Sequence, residues 1–352
     1  MGVMTPLRRI VLSHAIVPLC GFACATAGAE STRAGALQPA QLAIVINDAD
    51  PNSVAVGAYY RQRRNIPAAN VVHVSLPGKP HTLDPARFKL LKQDIDVRLG
   101  AGVQAVLMIW TAPYAVGCNS ITAAYTLGFD PLPCTRTCAA GRPSAYFNAA
   151  TRRPFSELNM RLSMLLPTES VAQARALIDR GIGAGFRRLP ATAYYLVTSE
   201  SARNTRAAFF PPPGRIAGRG LNTRILHADA LEGASDILVY QTGKAKVDKL
   251  ETLGFVPGAL ADHLTSFGGD LLDSANIGDQ MRSLRWLEAG ATASYGTVSE
   301  PCNYWQKFPN PAVLLKHYVQ GNSAIEAYWK SVAWPAQGLF LGEPLAAPYG
   351  NR

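Results

Sequence analysis

The chain is poor in charge: Asp, Glu, Lys and Arg make up 16% of its 352 residues, while 48% are hydrophobic. That balance excludes an intrinsically disordered chain, which carries high net charge and too little apolar surface to bury a core. Cysteine is sparse at six, too few for a disulfide-held miniprotein of this length. Gly and Pro, at 30 and 25, follow no fixed period, which excludes a collagen-like chain. Motifs are missing too. There is no GxxxxGK[ST], which argues against nucleoside triphosphate chemistry, and no CxxC or HExxH, which argues against a zinc site. Leu264-Thr265-Ser266-Phe267-Gly268 has leucine where a nucleophile elbow needs its first glycine, so an α/β-hydrolase is unsupported. Gly181-x-Gly183-x-Gly185 follows a helical pattern rather than a strand and reads as a helix C-terminus, not a dinucleotide loop. No internal repeat is visible.

What is present starts with an address. Arg8 and Arg9 precede a mostly apolar stretch over residues 10–26, and Ala27-Gly28-Ala29 supplies the small-x-small pattern of a signal-peptidase site before Glu30. Residues 1–29 are therefore expected to be a cleavable signal peptide, and the mature chain periplasmic or secreted. A lipoprotein anchored through Cys24 is the lesser alternative, because Phe22 suits that motif poorly. His14 and Pro18 interrupt the apolar stretch, and no later run approaches the roughly 18 residues of a membrane helix, so no stable span is expected after cleavage. The formal net charge is +10, but the basic residues fall in small clusters (Arg61/Arg63/Arg64, Arg152/Arg153, Arg187/Arg188) separated by acidic ones. Nucleic acid is not an expected partner.

Four cysteines survive cleavage: Cys118, Cys134, Cys138 and Cys302. An even number in an oxidising compartment predicts two disulfides, with three possible connectivities. The short Cys134-x3-Cys138 spacing favours a local bridge, which leaves Cys118 with Cys302. A metal site is not expected, nor is any cofactor.

The order of elements reads as α/β. Residues 42–47 (LAIVIN) form a short continuous apolar run, as in a strand buried on both faces, and Ser53 is placed to cap the helix that follows. A second strand is expected over 71–76. Asp84-Pro85 then opens a helix carrying Phe88, Leu91, Ile95 and Leu99 at helical spacing, before a third strand over 103–110. Strands alternating with helices predict a mostly parallel sheet with right-handed crossovers. Residues 111–167 loosen into a loop-rich insertion. Periodicity resumes with a helix over 169–179. Strands are expected over 191–197, 224–227, 236–241, 258–262, 291–298 and 338–341, and helices over 280–289, 311–320 and 323–333. One α/β domain over residues 30–352 accounts for the whole.

Binding groups in parallel sheets gather at the carboxyl ends of strands. The densest polar cluster there is Asp262-His263-Leu264-Thr265-Ser266-Phe267-Gly268-Gly269. His263 can act as base, Ser266 or Thr265 as nucleophile or donor, and Glu300 can orient a histidine. Thr242-Gly243 and Asn47-Asp48 close other strands and are candidate binding residues. The competing reading has these residues capping turns and His263 satisfying a buried backbone group. Cys302 as nucleophile with His263 as base would suit a thiol hydrolase, against which its expected disulfide argues.

Several blocks resemble a family of exported bacterial proteins of unassigned function. They are Ile44-Val45-Ile46-Asn47, the run from Ala58 through Tyr59-Tyr60 to Arg63-Arg64-Asn65-Ile66-Pro67, the polar segment Thr198-Ser199-Glu200-Ser201-Ala202-Arg203-Asn204, Pro257-Gly258-Ala259 with Asp262-His263-Leu264-Thr265-Ser266, Gly290-Ala291-Thr292-Ala293 with Gly296-Thr297-Val298-x-Glu300-Pro301, and Leu341-Gly342-Glu343-Pro344-Leu345, over residues 42–348. More distantly, their order is similar to the caspase-type fold of gingipain-like cysteine peptidases, where one strand ends in His-Gly, the next in the nucleophilic Cys, and a later one reads Gly-Ala-x-Ala. Here Thr242-Gly243 stands at the His-Gly position and the span from His263 to Ser266 at the Cys position, with no cysteine. The resemblance implies a caspase-like three-layer sandwich, a mostly parallel sheet flanked by helices. It also implies that such a scaffold has lost its thiol chemistry and binds a peptide, glycan or envelope component. The alternative is a peptidase-like hydrolase using His263, Ser266, Thr265 and Glu300.

Overall fold

The computed structural model describes residues 1–3, 36–185, 190–272 and 278–350. The chain divides into Met1–Arg33 and Ala34–Arg352; the signal-peptide features, Cys24 and the Arg187/Arg188 pair lie outside the described residues. Within Ala34–Arg352, β1 (Leu42–Asn47) is buried along its whole length, and α1 (Pro51–Arg64) returns across it. Asp50, not Ser53, caps α1, accepting from Asn52 N. Ser53 lies inside the first turn, where its Oγ accepts from Asn47 N (2.8 Å) and donates to Ile109 O, so it ties the helix to two strands. β2 (Val71–Val74) and the short β3 (Thr82–Leu83) lead to α2 (Pro85–Asp96), which Asp84 caps by accepting from Ala86 N and Arg87 N. β4 (Ala105–Ile109) then enters the core.

The stretch 111–167, expected as loop, is more structured than its composition suggests. It holds the short β5 (Ala115–Val116) and β6 (Asn119–Ser120), α3 (Ile121–Leu127), α4 (Leu132–Thr135), α5 (Pro154–Leu158) and a central core strand, β7 (Leu162–Leu166). Arg161 and Ser163 interrupt the apolar pattern of that strand in the sequence. Inside the fold Ser163 is neutralised, its Oγ donating to Thr122 O at 2.6 Å. α6 (Val171–Gly183) does end at the glycine-rich run.

The second half contributes β8 (Ala191–Val197), β9 (Gly214–Ile216), β10 (Leu221–His227), β11 (Ile237–Thr242), β12 (Phe255–His263), α7 (Leu284–Glu288), β13 (Ala293–Thr297), α8 (Pro311–Val319), α9 (Ala324–Ser331) and β14 (Gly338–Gly342). The helix expected over 280–289 is confined to α7, and residues 280–282 are irregular. Eleven strands form one mixed, mostly parallel sheet in the order β2-β1-β4-β7-β14-β13-β12-β11-β8-β10-β9, flanked by helices, and β3, β5 and β6 form a small separate sheet. β13 and β14 are antiparallel, with Thr297 opposite Gly338.

The loops that follow β4, β12 and β13 meet at one rim. Tyr114 Oη donates to Asp270 Oδ1 (2.7 Å), Ser299 Oγ to Cys118 O (2.7 Å) and Ser120 Oγ to Gly338 O (2.5 Å). Two disulfides cross the same region, but not with the expected pairing. Cys118 bridges Cys134 and Cys138 bridges Cys302, with Cα–Cα distances of 5.2 and 5.3 Å, well within bridging range. The local Cys134–Cys138 bridge does not form because Cys134 sits on α4 facing the β6 turn, while Cys138 lies beyond the helix against the loop after β13.

Candidate functional site at the strand ends

Strand alternation sorts the rim residues onto two faces of the sheet. β11 and β12 run in register, with Gln241 opposite Asp262 and Thr242 opposite His263. On one face Asp262 is fully buried and pairs with Arg206, which is itself buried and comes from the 3-10 segment Ser201–Phe209. Arg206 also donates to Thr242 O (2.8 Å) and Pro309 O (3.2 Å), and Gln241 Nε2 donates to Asp262 Oδ2 (2.9 Å). Burial raises the Asp262 carboxyl above its ordinary value, while Arg206 and Gln241 pull it down. The pair fastens the segment after β8 onto the ends of β11 and β12.

On the other face His263 is buried and both ring nitrogens are engaged. Trp286 Nε1, which can only donate, bonds Nδ1 at 3.0 Å. That assigns the proton to Nε2, which donates to Met281 O at 2.9 Å. Burial, reinforced by the positive charges of Arg206 and Arg203 and opposed by the Met281 bond, lowers the His263 pKa from 6.5 to about 3. The imidazole is neutral and clamps the arm over residues 280–286, an irregular stretch running into the first turn of α7, across the mouth of the strands.

The same arm reaches the next residues. Gln280 Oε1 accepts from Thr265 Oγ1 (2.5 Å), Ser266 N (2.8 Å) and Phe267 N (3.2 Å). Three donors thus converge on one amide oxygen. Among the described residues no histidine or carboxylate is bonded to Ser266 Oγ. Glu300 turns back on its own loop, where Oε1 accepts from Cys302 N at 2.7 Å, and its carbonyl accepts from Thr137 and Gln337. Thr242 is buried with its hydroxyl unpartnered. Gly243 has no room for a side chain, since a Cβ there would lie 2.1 Å from Arg203 O.

The rim therefore brings Thr242, Gly243, His263, Thr265 and Ser266 together and places Glu300 on the neighbouring loop, engaged elsewhere. Asn47 and Asp48 are not part of this cluster. They end β1, five strand positions from β12, or about 24 Å at ordinary strand spacing. Asn47 brackets its own turn, bonding Leu76 N, Leu76 O and Ala49 N, and exposed Asp48 meets His73 at 2.7 Å. Sequence reasoning missed Arg206, Gln280, Met281 and Trp286. Only Arg206 left a signal, as a lone cation closely following the polar segment at residues 198–204.

Beside the cluster a groove of about 770 Å³ opens, lined among others by Lys246, Val247, Leu250, Gln280, Met281 and Arg282. Among the described residues no group of three or more His, Cys, Asp or Glu is placed to hold a metal ion.

Fold and site together define an α/β protein whose strand-end groups are bonded to its own chain beside an open groove. No protein-family model matches the chain, and no curated protein matches it. Solved structures do. One described as a protease is similar over 89% of this chain and 79% of that one, with 9% identity and a TM-score of 0.47. A complex of the pro- and mature domains of Porphyromonas gingivalis RgpB is similar over 87% and 79%, at 10% identity and TM-score 0.37. The Arg-specific cysteine proteinase gingipain R is similar over 88% and 78%, at 12% identity and TM-score 0.37. At these values the likeness says nothing of activity.

Proposed function

We propose that the protein is an exported, non-catalytic binding protein that takes a peptide segment in the groove beside the carboxyl ends of β11 and β12. One observation carries this reading: both nitrogens of His263 are bonded inside the fold while the groove next to it stays open. A general base must reach the proton it abstracts, and His263 faces Met281 and Trp286 instead. The groove wall mixes apolar Val247, Leu250 and Met281 with side chains of both signs, a mixture that suits a peptide, whose own side chains are mixed in the same way. Among the described lining residues none is aromatic, which disfavours a glycan, since sugar rings bind by stacking on aromatic faces. Two disulfides support an oxidising compartment outside the cytoplasm. No helix among the described residues is long and apolar enough to cross a membrane.

The test is direct. The purified mature chain is expected to retain members of a random peptide library in equilibrium dialysis and to leave peptide and ester substrates intact. Turnover that disappears in His263→Ala or Ser266→Ala would replace this reading with the hydrolase.

A further inference from the structure

Behind Gln280, which lines the groove, lies a donor cluster that the chain itself fills. Two successive backbone N–H groups, of Ser266 and Phe267, and the Thr265 hydroxyl all point at one oxygen. Such a concavity of successive N–H groups binds anions. The occupant is the neutral carboxamide oxygen of Gln280. A carboxylate would fit the same donors with charge-assisted bonds, which are shorter and roughly twice as strong.

Gln280 is only partly buried, and its neighbour is held without it. Met281 N donates to Ala245 O at 2.9 Å, and Met281 O accepts from His263. The side chain of Gln280 can therefore swing out by rotation about its own bonds while the arm stays fixed, and it regains rotamer freedom when it does. Gln280 both lines the groove and covers the three donors, so displacement of its side chain is the step that would connect the cluster to the groove. The described lining carries as many acidic as basic side chains, so selectivity for an anion falls to the donor cluster itself.

We propose that Thr265, Ser266 N and Phe267 N form a carboxylate subsite of the peptide groove, and that Gln280 is a built-in ligand which an incoming peptide carboxylate displaces. This rests on the peptide-binding reading above. The carboxylate has two sources, the C-terminus of the peptide or an Asp or Glu side chain.

The experiment uses three peptide pools labelled with an uncharged BODIPY dye on the mature chain, read by anisotropy: one with free C-termini and no acidic side chains, one amidated and free of acidic residues, one amidated and containing Glu. Gln280→Ala is expected to bind carboxylate-bearing peptides about ten-fold more tightly than the wild type. Gln280→Glu, which places its own carboxylate on the donors, is expected to bind them about ten-fold more weakly. The acid-free amidated pool is expected to bind all three proteins alike, and whichever acidic pool responds names the source. Acetate added to the Gln280→Ala chain is expected to shift the ¹⁵N amide signals of Ser266 and Phe267. If all pools bind the three proteins equally and acetate moves neither amide, the subsite is overturned while peptide binding stands. If no pool binds any protein, both readings fall. Should Gln280→Ala not fold, Gln280→Asn and acetate titration of the wild-type chain decide on the same terms.

Discussion

At the scale of single residues, His263 shows how a catalytic-looking side chain becomes a clamp. Its folded pKa, about 3, lies below the ordinary 6.5. Between those values an unfolded chain takes up a proton that the folded one refuses, so stability falls as pH is lowered through that window. For one group the slope reaches up to about 1.4 kcal/mol per pH unit. His317, lowered to about 4 by burial and the neighbouring lysines, acts in the same direction. Urea unfolding between pH 7 and 5, above most carboxylate titration, is expected to show this decline, and His263→Asn is expected to be less stable at pH 7 yet shallower in slope. An unchanged slope would mean that His263 titrates normally. Gly243 supplies a second expectation at this scale. Because a Cβ would meet the backbone oxygen of Arg203 rather than a movable side chain, Gly243→Ala should cost roughly 1–3 kcal/mol as overpacking. A variant as stable as the wild type in denaturant would show that the 3-10 segment yields freely.

Between elements, the decisive contact is the buried Arg206–Asp262 pair, which joins the segment after β8 to β11 and β12. Removing one member of such a pair leaves an uncompensated buried charge and typically costs about 3–5 kcal/mol, whereas replacing both with apolar residues often costs little. Arg206→Met is therefore expected to lose about that much stability in guanidinium unfolding, and Arg206→Met with Asp262→Leu less than Arg206→Met alone. If the double variant is the worse of the two, the ion pair is not the fastening. This contact also marks how far sequence reading reaches. The strand ends carrying Asp262 and His263 were legible, because a short apolar run followed by polar residues reports burial and then its end. The partners were not, since Arg206 lies 56 residues from Asp262 and Trp286 lies 23 from His263, and no local pattern encodes which loop folds over which strand. The disulfide pairing failed for the same reason: spacing favoured Cys134 with Cys138, and tertiary position turned them to different partners.

For the whole molecule the informative strand is β14. Local pattern predicts a strand at 338–341, but not that this last strand sits between β7 and β13, in the middle of the sheet. The four strands on one side of it all come from the first half of the chain, and those on the other side from the second. The two halves of the sheet thus become one only when the C-terminal residues arrive. Phe340 stacks on Trp329 at 4.1 Å, and Glu343, just past the strand, accepts from Tyr60 Oη (2.7 Å) and from both Arg64 Nε and a terminal nitrogen (3.0 and 2.6 Å), binding the end of α1 to the tail. A chain truncated after Gln337 loses that closure. It leaves β7 and β13 as unpaired edges whose residues are buried when β14 is present, and exposed apolar edges pair with other chains. Such a truncation is expected to aggregate or bind a hydrophobic dye strongly. A soluble monomer with the circular dichroism and melting temperature of the full chain would show instead that each half-sheet folds by itself, and that β14 adds to a scaffold already complete.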